Sequence, residues 1–520
     1  MRIQGTMQSS RLHVFMLWIA VGSFVIGIVL RVLGAHNDLW FDEVWTLQLL
    51  RERAHSFGDV FTNIKHSNNH HLCSLWMWLV GQNASALVYR LPSLLASIGT
   101  IMLAGLIGLR QSRLEACIAV ILTSWSYLLI HFGTEARGYS LAIFFALLAW
   151  YALQQFEERG DERGQGVRSS ALQATTTAGR LPNPVDVELR ARSWIWIVVF
   201  WGAVVLGFLS HLEFAICFAG LVAWALWRCV RYRSTWRRAV LDLIALFTVP
   251  IILLLVFYFV SIRGMEVGAG PPYRLWPLLI KTASYMVGGP ASGGAAAIAA
   301  LVAVVSIYFV LTYLMFERDD RWIFYAVVII LPLGLIAILL PVSLSVRYFM
   351  ISVAASLLLL CSGFAALLGR RVEGSYIALT LLLAFVAGNA VNTSNLLRFG
   401  RGQYVAALRF MEKNSDGREV VITSDHDFRN AMLVNYYKRH LARPDLIRYA
   451  TAETLSEHGA DWLILHRFEL TRWTDRVTDA YGNAYQLVKI YKYSDNSGWN
   501  WLLYHNLNRS LVPPQSPLLQ

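Results

Sequence analysis

The chain has 520 residues, of which 56% are hydrophobic and 15% are charged, and it carries a formal net charge of +12. This composition excludes an ordinary soluble globular protein, because such proteins contain about 25% charged residues. The positive charge does not indicate a nucleic-acid partner, since Lys and Arg accumulate in the cytoplasmic loops of membrane proteins. The five cysteines show neither a disulfide framework nor a zinc-binding spacing.

Long apolar runs recur along the chain, and about 20 such residues are enough to cross the hydrocarbon core of a membrane as a helix. We predict about eleven transmembrane helices, at residues 12–33, 88–109, 114–132, 138–154, 194–210, 212–229, 239–262, 294–316, 322–341, 349–369 and 375–391. The first run is too long for the apolar part of a signal peptide, so we expect it to be retained as a span.

Clusters of arginine between the predicted spans indicate how the chain is oriented. They lie at Arg110 and Arg113, at Arg228, Arg231, Arg233, Arg237 and Arg238, and at Arg370 and Arg371. Placing these clusters in the cytoplasm puts the N-terminus inside and residues 392–520 outside. We therefore predict a multi-pass protein of the cell (inner) membrane. Residues 155–193 would form a cytoplasmic loop, which we expect to be disordered because it is polar and lacks an apolar period.

Two segments are expected on the outer face. The first outer loop, residues 34–87, contains a helical pattern from Asp42 to Arg53 and an amphipathic segment from His71 to Val80, which is too short to span and is expected to lie in the membrane interface. The chain beyond the last span is polar. Its patterns predict helices at 404–413 and 430–438 and strands at 419–423, 461–465 and 485–491. The sequence therefore predicts a transmembrane catalytic domain at 1–397 and a small extracytoplasmic α/β domain at 398–520.

Unusual polar residues follow the spans that exit outward. Asp42 and Glu43 follow the first span, Glu135 and Arg137 the third, His211 the fifth, and Arg347 with Tyr348 the ninth. Ionisable groups at membrane depth are costly and are usually retained for function. Carboxylates can act as a general base or a metal ligand, and arginine presents a planar fork that suits phosphate oxygens. An enzyme that takes a group from a lipid-linked phosphate needs both.

Several short motifs resemble one family of membrane enzymes. They are Asp42-Glu43, Asn69-His70-His71-Leu72, Arg90-Leu91-Pro92-Ser93, Glu135-Ala136-Arg137-Gly138-Tyr139 and Arg347-Tyr348. Together they resemble the GT-C glycosyltransferases that use polyprenyl-phosphate sugars, specifically glycosyltransferase family 39, the group of protein O-mannosyltransferases and lipid A aminoarabinose transferases. The resemblance covers nearly all of residues 12–400. Asn69-His70-His71-Leu72 departs from the His-Pro-Pro-Leu frequent in that group, which leaves the phosphate contacts of this segment open.

The resemblance implies a polyprenyl-phosphate-linked sugar donor and an acceptor hydroxyl on a lipid, protein or glycan. Asp42 would be the general base of an inverting transfer, with Glu43 as a second catalytic residue. The donor and its phosphate would contact the following residues: Glu135, Arg137, Tyr139, Arg347, Tyr348, His71 and His211. No nucleotide-binding site is needed, and Asp42, Glu43 and Glu135 leave a divalent metal ion open as a cofactor.

Simpler roles stay open for each of these residues. Asp42 and Glu43 can cap a helix, Glu135 and Arg137 can form a buried ion pair, and Arg347 can anchor a span end at the interface. The segment Asn68-Asn69-His70-His71 lacks a helical metal-binding spacing, so we favour hydrogen bonding to substrate over a metal site. The main alternative function is a transporter or flippase for a lipid-phosphate-linked substrate, although no internal repeat supports it. A non-enzymatic assembly or sensor protein is a third reading.

Overall fold

The computed structural model describes residues 2–173, 184–232, 235–268, 273–341, 343–370, 372–415, 419–468 and 473–509. The membrane part contains these helices: α1 (Arg2–Gly34), α2 (Phe41–Arg53), α3 (Asp59–Thr62), α4 (His71–Val80), α5 (Ala86–Leu109), α6 (Arg113–Trp125), α7 (Tyr127–Gly133), α8 (Tyr139–Gln173), α9 (Pro184–Ser210), α10 (Phe214–Tyr232), α11 (Trp236–Phe257), α12 (Leu275–Met286), α13 (Gly293–Phe316), α14 (Arg321–Leu339), α15 (Met350–Arg370) and α16 (Val372–Phe399).

The predicted helical membrane fold is confirmed. Each of the eleven predicted spans falls on one of these helices or, for 114–132, on the pair α6 and α7. Within the described residues, nine helices are long and apolar enough to cross a membrane. The bent pair α6–α7 would make a tenth span, and the apolar part of α9, Trp194–Ser210, is shorter. The difference from eleven therefore comes from one broken helix and one short one.

The segment predicted as a disordered cytoplasmic loop, 155–193, differs from the expectation. Helix α8 continues through it to Gln173, and α9 already begins at Pro184. The prediction of disorder is wrong for these two stretches, and its middle part, 174–183, lies outside the described residues. Extending an existing helix costs much less than nucleating a new one, so a polar sequence without an apolar face can still continue the helix that precedes it.

The break between α6 and α7 gives the chain a sharp turn next to the polar segment 134–138. The two helices meet at Ser126 with a bend of 59°. The carbonyl oxygens freed by the break are not left without donors, because the Arg31 guanidinium donates to those of Thr123 (2.9 Å) and Ser124 (3.1 Å). Arg31 therefore supports the broken helix that leads into Glu135 and Arg137.

The first loop, residues 34–87, folds into three helices, of which α4 has the bounds expected for the short amphipathic segment. The two tryptophans of α4 bond it to α5 and to the end of α2. The Trp76 Nε1–H donates to the Val88 carbonyl at 2.8 Å, and the Trp78 Nε1–H donates to the Ala54 carbonyl at 3.1 Å. The loop is therefore a packed layer that fixes where α2 begins.

The C-terminal domain is a small α/β unit, as predicted. It contains α17 (Tyr404–Lys413), α18 (Asp427–Tyr437) and the strands β1 (Val420–Ser424), β2 (Ile447–Tyr449), β3 (Trp462–Arg467), β4 (Arg476–Thr478), β5 (Ala484–Tyr491) and β6 (Asn500–Asn506). The sheet order is β2-β1-β3-β6-β5-β4, with β1 parallel to both β2 and β3 and the remaining pairs antiparallel. The predicted domain boundary at 397/398 falls inside α16, two residues before its end.

The C-terminal domain docks on the first loop. The Tyr437 hydroxyl donates to the Leu39 carbonyl at 2.6 Å, and the backbone N–H of Val405 donates to the Asp38 carboxylate at 3.0 Å. Buried apolar residues of α2, α4, α17, α18 and the sheet form one continuous cluster. The domain therefore covers the start of α2, where Asp42 and Glu43 lie.

Candidate active site

A cavity of about 950 Å³ lies between the first loop, the membrane helices and the C-terminal domain. Seven of the nine predicted site residues line it: Asp42, His71, Arg137, Tyr139, His211, Arg347 and Tyr348. Glu43 and Glu135 do not. Apolar side chains of α14, including Pro332, Leu335 and Ile336, form one wall, and residues of the C-terminal domain form another. The structure therefore brings the seven predicted residues, from five separate stretches of sequence, to one cavity.

Asp42 is held between two arginines at the edge of this cavity. Its Oδ2 atom lies 2.6 Å from Nη1 of Arg347 and 3.7 Å from Nη2 of Arg137. The side chain is 10% exposed and sits in the first turn of α2, where the helix dipole favours a negative charge. No hydrogen bond to Oδ1 is found among the described residues, so this oxygen can accept a proton from a bound group.

Both guanidinium groups keep polar atoms that have no partner in the described part of the chain. Arg137 donates from Nη1 to the Asn68 side-chain oxygen at 2.7 Å and to the Asn68 carbonyl at 3.0 Å, while its Nε is buried and unbonded. Arg347 packs against the rings of Trp40 and Tyr348, 5.8 and 5.4 Å from their centroids, and its Nε is also buried and unbonded. Buried N–H groups are normally satisfied, so these two guanidinium groups retain hydrogen-bonding capacity that the described part of the fold does not use.

Glu43 has a different place from its neighbour and does not face the cavity. Its carboxylate accepts hydrogen bonds from Nε and Nη2 of Arg90 at 2.8 and 2.6 Å, from the backbone N–H of Ala136 at 2.6 Å and from that of Trp40 at 2.9 Å. The ion pair is fully buried. These contacts show a structural role for Glu43 and agree with the helix-cap alternative, while its catalytic role stays a prediction.

Glu135 is also engaged away from the cavity. It pairs with Arg401 at 3.1 Å and lies 3.3 Å from Nε2 of His131, so the alternative ion pair with Arg137 does not form in the described structure. Burial acts to raise the pKa of Glu135, but the close contact with His131 and the charge of Arg401 outweigh it and hold the pKa at about 2. A donor-binding role for Glu135 has no support from this position.

The carboxylates predicted as an optional metal site are therefore not brought together, and the set Asp42, Glu43 and Glu135 does not fit a divalent ion. Within the described residues, no group of three or more His, Cys, Asp or Glu side chains is placed to hold a metal.

Three cavity histidines share a hydrogen-bonding pattern that bears on whether the cavity could hold a metal ion. Nδ1 of His66, His70 and His211 accepts the backbone N–H of Asn68, Gly138 and Glu213 respectively, each at 3.0 Å. A neutral ring with Nδ1 as acceptor carries its proton on Nε2 and presents a donor there. Metal binding through Nε2 would remove that proton and leave an imidazolate. The arrangement therefore favours hydrogen bonding to a ligand, as predicted for this segment.

The cavity histidines His70, His71 and His211 stay neutral because burial disfavours the charged form of each ring. Burial, together with the charges of Arg137 and Arg347, lowers the pKa of His211 to about 3, and the same causes hold that of His70 well below its usual value. Burial also lowers the pKa of His71 to about 4. His71 packs against the rings of Phe61 and Phe257, 5.5 and 4.9 Å away, and its Nε2 is buried and unbonded in the described structure.

Two tyrosines link the histidines to the arginines. The Tyr139 ring lies 4.6 Å from that of His211, 5.2 Å from that of His70 and 6.0 Å from the Arg137 guanidinium carbon. Tyr348 lies between Arg347 and His211, with 6.5 Å between its ring and the histidine ring. Five of the predicted donor-binding residues thus form one contiguous wall: Arg137, Tyr139, His211, Arg347 and Tyr348.

Three further residues that line this cavity were not predicted and bear on its chemistry. Glu213 follows His211 by two positions and is a buried carboxyl at the start of a span, a signal that the same cost argument could have used. Arg429 and Trp499 come from the C-terminal domain, and the Arg429 guanidinium lies over the rings of Phe41 (4.4 Å) and Trp499 (5.0 Å). No local pattern marks these two, because only the docking of the domain brings them to the site.

Comparisons with known proteins add to this picture. No family model matches the chain, and no curated protein matches it in sequence. The crystal structure of the Archaeoglobus fulgidus oligosaccharyltransferase with a tethered acceptor peptide superposes with a TM-score of 0.50 at 12% identity, over 80% of this chain and 62% of that one. The chain thus spans about three-fifths of the length of that enzyme.

A second solved structure, apo ArnT from Cupriavidus metallidurans, has a TM-score of 0.48 at 10% identity and covers 96% of this chain and 98% of its own. ArnT is a lipid A aminoarabinose transferase, and both proteins are glycosyltransferases of the GT-C fold. The likeness to the oligosaccharyltransferase concerns the arrangement of the helices. The chain described here therefore has the GT-C fold.

Proposed function

We propose that this protein is a membrane glycosyltransferase that transfers a sugar from a polyprenyl-phosphate donor to an acceptor hydroxyl. The observation that carries the proposal is the Asp42 carboxylate, held by Arg347 and approached by Arg137 at the edge of a large cavity with one apolar wall. A base next to two phosphate-binding groups is what such a transfer requires. The GT-C fold, shared with an oligosaccharyltransferase, is consistent with it.

The donor would enter with its prenyl chain along α14 and its phosphate at the arginines. Pro332, Leu335 and Ile336 offer the apolar surface that a polyprenyl chain needs. The guanidinium groups of Arg137 and Arg347, which line the cavity, would supply N–H donors for phosphate oxygens. As the bond between the sugar and the phosphate breaks, negative charge grows on the phosphate. The two fixed guanidinium groups stabilise that charge without reorganising.

Asp42 would act as the general base. The acceptor oxygen attacks the anomeric carbon from the face opposite the phosphate, and its proton passes to Oδ1 of Asp42, the oxygen that Arg347 does not occupy. The bond from the anomeric carbon to the phosphate oxygen breaks with both electrons leaving on the lipid phosphate. The sugar centre is thereby inverted, and the products are the glycosylated acceptor and polyprenyl phosphate.

The acceptor would approach from the side of the C-terminal domain. Arg429 and Trp499 face the cavity next to Phe41, the residue before Asp42. An acceptor held there would have its hydroxyl within reach of the Asp42 carboxylate. This wall of the C-terminal domain would then determine whether the acceptor is a lipid, a protein or a glycan.

We also propose the orientation inferred from the loop arginines, with the N-terminus in the cytoplasm and both the cavity and the C-terminal domain outside the cell membrane. A reporter enzyme that works only outside the cytoplasm should show activity when it is fused to the C-terminus. A cytoplasmic C-terminus would contradict the orientation and would place the transfer on the opposite face.

The main test compares the wild-type protein with Asp42→Asn. In the membranes of a deletion strain, mass spectrometry of lipids, proteins and glycans should find one sugar missing, and wild-type protein should restore it. Asp42→Asn should bind undecaprenyl phosphate like the wild type yet fail to restore the sugar. A variant that restores it fully would contradict the proposal and favour a flippase, which binds the same lipid without breaking a bond.

A further inference from the structure

Glu213 lies between α9 and α10 and lines the cavity without belonging to the machinery proposed above. Its side chain is 4% exposed. One oxygen, Oε1, accepts the backbone N–H of Ile351 at 3.2 Å, in the first turn of α15. The other oxygen, Oε2, is buried and has no hydrogen-bond partner in the described part of the chain. A cavity-lining carboxyl with one oxygen bonded by the fold and the other buried without a partner is an unusual feature.

The groups around Glu213 do not supply the missing partner. Nδ1 of His211 is 3.8 Å from Oε2, but it already accepts the Glu213 backbone N–H and has no proton to donate. Helix α14 faces the cavity with apolar side chains. The other ionisable groups that line the cavity include Asp42, His70, Arg137, Tyr139, Arg347 and Tyr348. Neither arginine lies within ion-pair distance of Glu213 in the described structure.

A buried carboxyl without a counter-ion is more stable as the neutral acid, because desolvation penalises the charged form. Burial accordingly raises the pKa of Glu213 to about 8, against the smaller opposing effect of the backbone N–H groups of Ile351 and Met350. The acid form carries an O–H group. With Oε1 taken by Ile351, that donor belongs on Oε2, where the fold provides no acceptor.

We propose that Glu213 is a further ligand-binding residue, whose carboxylic acid donates a hydrogen bond to an oxygen of the donor head group. The proposal rests on the proposed function, since it assumes a lipid-linked phosphate in this cavity. A carboxylate at this position would repel the phosphate, whereas the neutral acid adds a donor to those of Arg137, Arg347 and the Nε2 atoms of His70 and His211. The oxygen that it contacts belongs either to the phosphate or to a sugar hydroxyl.

The test measures affinity for undecaprenyl phosphate, with and without an attached sugar, from about pH 7 to about pH 9.5. The wild-type affinity should fall as the pH rises through about 8, because ionisation of Glu213 removes the donor and adds a negative charge. Glu213→Gln keeps an N–H donor and cannot ionise, so its affinity should not fall over this range. Glu213→Ala should bind about tenfold more weakly at neutral pH.

The two ligands distinguish the two possible contacts, and either result supports the proposal. A loss in Glu213→Ala that appears with undecaprenyl phosphate alone assigns the contact to the phosphate. A loss that appears only with the sugar-bearing lipid assigns it to the sugar. Glu412→Gln is the matched control, because Glu412 is a buried carboxyl of α17 that does not line the cavity. It should behave like the wild type at every pH.

A purely structural role for Glu213 gives a different result. Glu213→Gln keeps the side-chain oxygen that accepts the Ile351 N–H, so a capping role alone would leave its pH profile the same as that of the wild type. That outcome, or unchanged affinity in folded Glu213→Ala, overturns the proposal. If the wild-type protein bound neither lipid at any pH, the proposed function itself would fail, which separates the two conclusions.

Discussion

Asp42 and Glu43 are neighbours in sequence, and both are buried carboxylates paired with arginine, yet they belong to two different regions of the molecule. Asp42 lies at the cavity, where its arginine partners keep unbonded N–H groups. Glu43 lies in the packed layer behind, where four donors from Arg90, Ala136 and Trp40 bind its two oxygens.

The difference follows from helix geometry. Successive side chains on a helix point about 100° apart, so a carboxylate pair at the start of α2 cannot face one site together. One side chain faces the cavity, and the other joins the first loop to α5 and to the segment after α7. Hydrogen bonding distinguishes the two carboxylates. Both oxygens of Glu43 have their partners and stabilise the fold, whereas the arginines that pair with Asp42 keep unpartnered N–H groups beside the cavity.

The largest effect is expected from Asp42→Asn. The amide cannot accept the acceptor proton as a base, so the transfer rate should fall by about 10²–10⁴-fold. The thermal unfolding temperature should fall less than in Arg90→Ala, because the amide keeps the shape of the side chain and Arg347 is 24% exposed to solvent. The affinity for undecaprenyl phosphate should not fall. Transfer measured on purified protein decides the matter, and a variant with near wild-type turnover would remove Asp42 from the chemistry.

Arg90→Ala should instead act on stability. Removing this partner leaves the Glu43 carboxylate buried without a counter-ion, which costs about 3–5 kcal/mol in comparable buried pairs. The unfolding temperature in detergent and the yield of folded protein should drop sharply. The double variant Glu43→Gln/Arg90→Ala should recover part of the loss, because it no longer buries an unpaired charge. If Arg90→Ala were as stable as the wild type and only slow in transfer, the division between the two regions would be wrong.

Arg347→Ala should reduce transfer by about a hundredfold, corresponding to about 3 kcal/mol of lost stabilisation of the leaving phosphate. Its affinity for undecaprenyl phosphate should fall as well, since the contact also exists before the reaction. Arg347→Lys retains the charge but not the planar fork and should be intermediate. Equal transfer by all three proteins would place Arg347 outside the phosphate site and return it to the role of an interface anchor.

The sequence predicted much of this site because polar residues at the ends of apolar spans are conspicuous. Asp42, Arg137 and Arg347 stand out against long hydrophobic runs, and the alternating exits of the spans place them on one side of the membrane. The same reasoning could not tell Asp42 from Glu43. That distinction depends on the ion pair between Arg90 and Glu43, which no local sequence pattern shows.

Elements formed by tertiary contacts were harder to predict. Strand β6 is buried along its whole length and so lacks the alternation that marks a half-exposed strand, and β2 and β4 have only three residues each. Arg429 reaches the cavity only because α18 packs on α2. A sequence pattern reports local periodicity, and these features arise from packing between distant segments.

The smallest effect is expected from Arg429→Ala, which tests whether the C-terminal domain contributes to the cavity region around Asp42. The Arg429 guanidinium stacks on Phe41 and Trp499 and has no carboxylate partner in the described structure. If this wall holds the acceptor, Arg429→Ala should raise the KM for acceptor by about three- to fivefold, in line with about 0.5–1 kcal/mol for a cation–π contact. Affinity for undecaprenyl phosphate should stay unchanged.

Arg448→Ala is the matched control for this variant, since Arg448 is a half-exposed arginine of the same domain that pairs with Glu419 and does not line the cavity. It should leave both constants as they are. A loss of donor affinity in Arg429→Ala, with the acceptor constant unchanged, would assign Arg429 to the phosphate together with Arg137 and Arg347. The C-terminal domain would then complete the donor site, and the acceptor would have to reach Asp42 from another direction.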